Sequence, residues 1–273
     1  AAETFVEMDY DQQEMLIKSF SDAELHEVVN ELYIDDVVDI VEEMPANVVK
    51  RILDNSDSNI RQLVNEILQY PPNSAGSIMT TEFITLRASM TISAAIKHIR
   101  EKGLDSETIE TCYVTDGVRH LIGFVTIRTI ILSDEKAKIE EVMNRNVISV
   151  STTEDQETVA NLFAKYDLTV LPVVDNEKRI VGIVTVDDAI DVLQREATED
   201  IEKMAAITPS DKPYLKKTTL EIWKSRIPWL LILMVSATIT GMIISHFEDA
   251  LKAYVVLTAY IPMLMDTGGN SGS

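Results

Sequence analysis

At roughly 100–200 residues per domain, 273 residues make about two domains, and a hydrophobic share of 46% is enough to build a core in each. Against 24 Lys and Arg stand 45 Asp and Glu, a net charge of −21, which excludes the clustered cations that nucleic-acid phosphates require and points to a cationic partner. The one cysteine, Cys112, cannot close an intramolecular disulfide, so it reads as a buried thiol in a reducing compartment.

The opening AAETFVEMDYDQQ lacks the basic and apolar regions of a secretion signal. Residues 1–70 then read as an acidic, all-helical domain. MLIKSF, ELHEVVNELYI, DDVVDIVEEM and VVKRILDNS each show i, i+3, i+4 apolar spacing, separated by caps such as Ser21-Asp22 and by Pro45. The first helix has no evident cap, and part of this domain is expected upstream.

After QYPPNSAG the pattern changes to short β-branched strands alternating with helices, in the order β-α-β-β-α, and it does so twice, over 71–136 and 137–203. Met79 and Met143 are 64 residues apart, as are Ile84 and Ile148, whereas Gly123 and Gly182 are 59 apart. The first copy therefore carries a stretch five residues longer around Gly103–Glu110. Two related units of this kind should pack together.

A basic segment follows, with Lys212, Lys216, Lys217, Lys224 and Arg226 against Glu221, read as a connecting helix over 204–227. From Ile227 to Ser245 no residue is charged, and a bilayer crossing needs about 20 apolar residues, so 228–247 reads as a transmembrane helix. The basic flank and Trp223 and Trp229 at its border place the acidic part in the cytoplasm. The run at 250–273, with Ala253 to Met265 as its apolar part, is too short to span and reads as the start of a second membrane helix.

Acidic residues cluster at helical spacing: Asp35, Asp36 and Asp39 open one helix, and Asp187, Asp188 and Asp191 open another, with Glu196, Glu199, Asp200 and Glu202 beyond. Capping and the helix dipole account for Asp35 and Asp187, at roughly 0.3–1 kcal/mol each. Asp39, Asp191 and Glu199 lie too far along for that and belong either to a solvated face or to a cation site. Magnesium suits such carboxylates, since it prefers oxygen ligands and keeps several waters, needing only one or two carboxylates per ion. His26, His98, His120 and His246 are scattered, without a catalytic or Cys–His metal motif, so no enzyme is expected. Gly268-Gly269-Asn270 lacks the Lys–Ser/Thr of a phosphate loop and reads as glycines that permit close helix packing.

The "IM…" openings and the "GhhT" strand ends at Gly123–Thr126 and Gly182–Thr185 resemble a pair of CBS domains. The order of acidic helical domain, CBS pair, basic helix, apolar span and YIPMLMDTGGNSGS resembles the MgtE family of magnesium channels over nearly the whole chain. That resemblance implies an α+β multidomain fold and a homodimer in the inner or plasma membrane. It also implies a cytosolic region that senses magnesium and closes a pore, most of which lies outside these residues. The family's sensor ligands, matched by position, fall on Asp35 and Asp39 in the helical domain. In and beyond the second CBS unit they fall on Glu157, Asp167, Asp188, Asp191, Glu196 and Glu199.

Some members also bind ATP between the CBS units, which would engage Arg128 and Thr185. Here the first copy ends Arg128-Thr129 where an acidic residue would hold the ribose, and Thr111 stands where an aromatic would stack on adenine. The rival readings are a CBS nucleotide sensor that regulates another protein, and a CBS pair attached to a different membrane domain, in which it would usually follow the membrane part.

Overall fold

The computed structural model describes residues 2–6, 8–205, 207–209 and 217–272. It divides into two compact units, Ala1–Leu193 and Gln194–Ser273.

The first unit opens with six helices, α1 (Ala2–Val6), α2 (Tyr10–Ser19), α3 (Asp22–Glu31), α4 (Ile34–Glu43), α5 (Ala46–Asn55) and α6 (Ser58–Ile67). Ser21 caps α3 in a full capping box with Glu24, as its spacing predicts. One apolar stripe per helix meets in a single core around Phe5, Ile17, Leu25, Val38, Ile52 and Val64. Arg51 of α5 donates to the carbonyls of Ile17 and Phe20, both at 2.5 Å, and so satisfies the C-terminus of α2 from a distance.

The two repeats follow. The first comprises β1 (Phe83–Arg87), α7 (Ile92–Lys102), β2 (Thr108–Thr115), β3 (Leu121–Thr126) and α8 (Ile127–Leu132). The second is introduced by a short α9 (Ile139–Val142), then β4 (Val150–Ser151), α10 (Gln156–Tyr166), β5 (Val170–Val174), β6 (Ile180–Thr185) and α11 (Val186–Met204). Each repeat makes a three-stranded sheet, β1-β2-β3 and β4-β5-β6, with one parallel and one antiparallel pairing.

The openings of the two copies are exchanged. Thr80 pairs with Ile183 of the second sheet, and Asn144 pairs with Phe124 of the first, each through two reciprocal 2.9 Å backbone bonds. Met79 accordingly lies in the second repeat's core and Met143 packs against the first's. Gly182 and Gly123 make room for this. A Cβ on Gly182 would stand 2.6 Å from Met79 Sδ and 2.8 Å from the Thr80 carbonyl, and one on Gly123 would stand 2.9 Å from the Asn144 carbonyl. Tyr113, Val170, Ile180 and Ile183 close the seam between the sheets, with Phe83 and Phe124 against them.

In the second unit, α12 (Thr219–His246) starts at a capping box of Thr218 and Glu221 and runs unbroken for 28 residues. Its most apolar 18 residues have a mean hydropathy of 2.1, and none of them is buried. This differs from the sequence expectation of separate helices over 204–227 and 228–247. Residues 207–209 are not helical, Tyr214–Lys216 lie outside the described residues, and Thr219–Ile227 join the apolar helix. Pro228 removes one N–H without ending it. A buried ion pair, Lys217 Nζ to Glu202 Oε1 at 2.5 Å, ties the start of α12 to the end of α11. After α13 (Glu248–Ala253) and a 3-10 turn, α14 (Tyr260–Gly272) ends the described chain. Nothing lies within 4 Å of a Cβ built on Gly268 or Gly269, so among the described residues no helix packs closely there.

A Gly182→Ala substitution should cost about 2 kcal/mol, because the Thr80 carbonyl cannot retreat without breaking the exchanged pairing. Denaturant unfolding checks this, and an unchanged midpoint would contradict the close approach.

Candidate functional site

Two helices begin with paired aspartates: α4 with Asp35 and Asp36, and α11 with Asp187 and Asp188. An N-terminal turn has unpaired N–H groups and the positive end of the dipole, so carboxylates there are locally favourable. Tyr33, the residue before α4, offers no side-chain cap. Glu82, between the Met79 opening and β1, supplies one across the domain boundary: its Oε2 accepts the Ile34 N–H at 3.0 Å and the Thr80 hydroxyl at 3.0 Å. On α11, Asp188 Oδ2 accepts from the Thr185 hydroxyl. Glu107 joins from the start of β2, where its N–H donates to the Glu82 carbonyl at 2.8 Å.

These six carboxylates act on one another. Burial pushes Asp35 well above the ordinary range, with the charges of Asp188, Asp36 and Glu107 adding to it. Burial, then Asp188, Asp187 and Glu82, raises Asp36 to about 6. Burial, then Asp188, Asp36, Asp187 and Glu82, raises Glu107 to about 8. Asp188 is raised to about 6, mainly by burial, against the Thr185 hydrogen bond that favours its charge. Burial also raises Glu82. Asp35 Oδ1 and Glu107 Oε2 are buried and accept no hydrogen bond.

Helix dipoles compensate by roughly 0.3–1 kcal/mol per charge, whereas taking an ion out of water costs several kcal/mol. The shortfall needs a cation or protons. Among the described residues none of the six carboxylates is paired with Lys or Arg. Nor, among those residues, do three or more His, Cys, Asp or Glu come together so as to hold a metal ion. The donor set suits a hard cation that keeps most of its waters and is gripped from several sides, as magnesium is.

Of the residues expected from sequence, Asp35 and Asp188 meet in this cluster, and Asp191 adds to the field on Asp188 from one turn further along α11. Asp39 is exposed, one turn beyond Asp35 on α4. Glu157 and Asp167 are exposed at opposite ends of α10, roughly 15 Å apart at 1.5 Å per residue. There Asp167 ends the helix in the left-handed region at φ 51°. Glu196 and Glu199 belong to the second unit, where Glu199 pairs with Lys203 at 2.5 Å. Asp36, Asp187, Glu82 and Glu107 were not among the candidates. The first two were visible in the acidic helix openings, and Glu107 in the longer stretch of the first copy.

The shifted carboxylates fix the sign of a pH dependence. Each has a higher pKa folded than unfolded, so the folded chain binds more protons, and its stability is lost as pH rises from about 5 towards 8. Glu107, raised to about 8, carries this loss furthest towards alkaline pH. The thermal midpoint of the full chain in chelator should therefore be lower at pH 8 than at pH 5. A flat or rising profile would contradict the cluster.

Residues 1–73 match the MgtE intracellular N domain, and residues 75–135 and 139–195 match the CBS domain. The magnesium transporter MgtE of Thermus thermophilus is 41% identical over 244 residues, covering 88% of this chain and 54% of the relative. That of Bacillus subtilis is 35% identical over 245 residues, covering 90% and 54%. The chain thus spans about half the length of the curated relatives it matches. Among solved structures, the cytosolic domain of the Mg2+ channel MgtE in complex with ATP is 38% identical with a TM-score of 0.67, over 70% of this chain and 79% of that one. The soluble part of a magnesium transporter is 32% identical with a TM-score of 0.68, over 72% and 77%. With its helical domain, its CBS pair and this likeness to the MgtE cytosolic domain, the chain belongs to the MgtE family.

Proposed function

We propose that this chain is the magnesium-sensing and gating region of a magnesium-selective channel or transporter. In this reading Mg2+ bridges the acidic faces of the helical domain and the CBS pair and favours the closed pore. One observation carries it: Asp35 and Asp36 of α4 and Asp187 and Asp188 of α11 share a partly dehydrated cluster that, among the described residues, no Lys or Arg pairs with.

Two unit charges about 4 Å apart interact by roughly 4 kcal/mol at an effective dielectric of 20, so without a cation the faces push apart. An ion that binds the clamped arrangement better than the open one moves the population by that difference in affinity. At a hundred times its dissociation constant it contributes about 2.7 kcal/mol to the clamped state. Asp39, Glu157, Asp167, Asp191, Glu196 and Glu199 are proposed as further contacts for magnesium. The clamp would act on α12, which crosses the bilayer, with residues 1–227 in the cytoplasm beside Lys217, Lys224 and Arg226 and with two copies forming a homodimer. No catalytic role is proposed.

ATP is a second ligand to weigh, because a similar cytosolic domain was crystallised with it. The side chains here do not fit it. In the first copy Thr126 Oγ1 and Thr129 Oγ1 lie 3.0 Å apart, a hydroxyl standing where the second copy has Asp188. Thr111, which pairs with Thr126 across the sheet, offers no ring on which adenine could stack. In the second copy Asp188 belongs to a group of carboxylates that would repel a polyphosphate held by Thr185.

Millimolar Mg2+ should raise the thermal midpoint of the full chain and slow its proteolysis between α6 and β1. Combined Asp188→Ala and Asp191→Ala should remove more than half of that shift. Unchanged protease resistance on adding Mg2+ would refute the sensor reading.

A further inference from the structure

One strand, β6, sets two helix openings. Thr185 ends it and donates its hydroxyl to Asp188 in the first turn of α11. Two residues earlier, Ile183 exchanges two 2.9 Å backbone bonds with Thr80. Thr80 directs its hydroxyl to Glu82 Oε2 at 3.0 Å, and the same oxygen accepts the Ile34 N–H, at 3.0 Å, where α4 begins. A chain of hydrogen bonds therefore runs from β6 through Thr80 and Glu82 into the helical domain.

The links on the CBS side are fixed before α4 is added. Thr80 is fully buried, the Glu82 N–H donates back to Thr80 Oγ1 at 3.4 Å, and the Glu82 carbonyl accepts the Glu107 N–H at 2.8 Å. The bonds from Thr80 and Ile34 use both lone pairs of Oε2. On the helical side, Ile34 is buried and Tyr33, at the N-cap position, offers no side-chain cap. The first N–H groups of a helix have no partner within it, so an acceptor from outside matters most to an opening that lacks its own. Glu82 reaches Ile34 only when the helical domain is seated on the CBS pair, and the bond needs no ion.

We propose that Glu82 is a positioning residue, a latch that seats the first turn of α4 on the CBS pair. Asp35 and Asp36 directly follow Ile34, so holding its N–H fixes the start of the turn that carries them. Glu82 acts here through its hydrogen bonds and not as a contact for the cation. The consequence for magnesium rests on the sensor reading. An ion that binds only the seated arrangement has an apparent affinity reduced by the seated fraction, so losing the latch raises the magnesium required. The latch itself stands apart from that reading.

The test combines residue-resolved hydrogen exchange with the magnesium midpoint of thermal stabilisation, on the detergent-solubilised full chain, for wild type, Glu82→Ala and Glu82→Gln. In saturating MgCl2, Glu82→Ala should speed exchange at Ile34 by about tenfold or more and leave the amides of α3 and α5 unchanged, which separates a lost latch from lost folding. It should also raise the magnesium midpoint by about threefold or more. Glu82→Gln keeps an acceptor oxygen without the charge and should match wild type in both measurements. If Glu82→Gln behaves like Glu82→Ala in either, Glu82 acts by its charge and the proposal fails. If Ile34 exchanges in Glu82→Ala as it does in a wild type that responds to magnesium, the proposal fails and the sensor reading stands. If Glu82→Ala frees Ile34 while wild type shows no response to magnesium, the latch stands and the sensor reading falls.

Discussion

A carboxylate leaves water only at a cost of several kcal/mol unless something replaces its hydration, and this protein brings five buried or partly buried ones together where helical domain meets CBS pair, with exposed Asp187 beside them. The arrangement is anchored at both ends. Helix α4 starts on a carboxylate from the other domain, Glu82, and α11 starts directly after Thr185, the last residue of β6, which pairs with Val170. The side chains are therefore held by the scaffold in positions their charges oppose. The stability of such an interface depends on what neutralises it, and among the described residues no Lys or Arg pairs with it.

The CBS pair supplies rigidity by exchange. Each copy's opening completes the other's sheet, with Met79 and Met143 filling cores to which they do not belong in sequence. Gly123 and Gly182 are small because the exchanged segments cross directly over them. A force applied to one copy is thus felt in the other, and Asp188, three residues beyond the end of β6, sits on this stiff element. In the second unit, the buried Glu202–Lys217 pair joins the tail of α11 to the residue just before the cap of the long apolar helix.

Much of this was legible in the sequence. The apolar periodicity of the helical domain, the doubled β-α-β-β-α order and the Met and Gly spacings all report local or repeated geometry, and they appear in the structure where the pattern puts them. The exchange of openings was not legible, because spacing reports that two copies are alike and not which copy's sheet a segment joins. Glu82 and Glu107 escaped notice for a similar reason. Each is an ordinary surface-type residue in a loop or at a strand edge, and only the docking of α4 against that edge gives them their surroundings. The continuity of α12 through Pro228 was hidden by the change from basic to apolar composition at Ile227, which marks a change of solvent and not a break in the helix.

In the proposed reading a hydrated cation holds the first turns of α4 and α11 together. Hydrogen exchange on the full chain, with chelator and then with magnesium, tests it most directly. Protection centred on the amides of residues 34–38 and 186–190 is the predicted result. Equal exchange in the two states, or protection spread evenly over the chain, would contradict it.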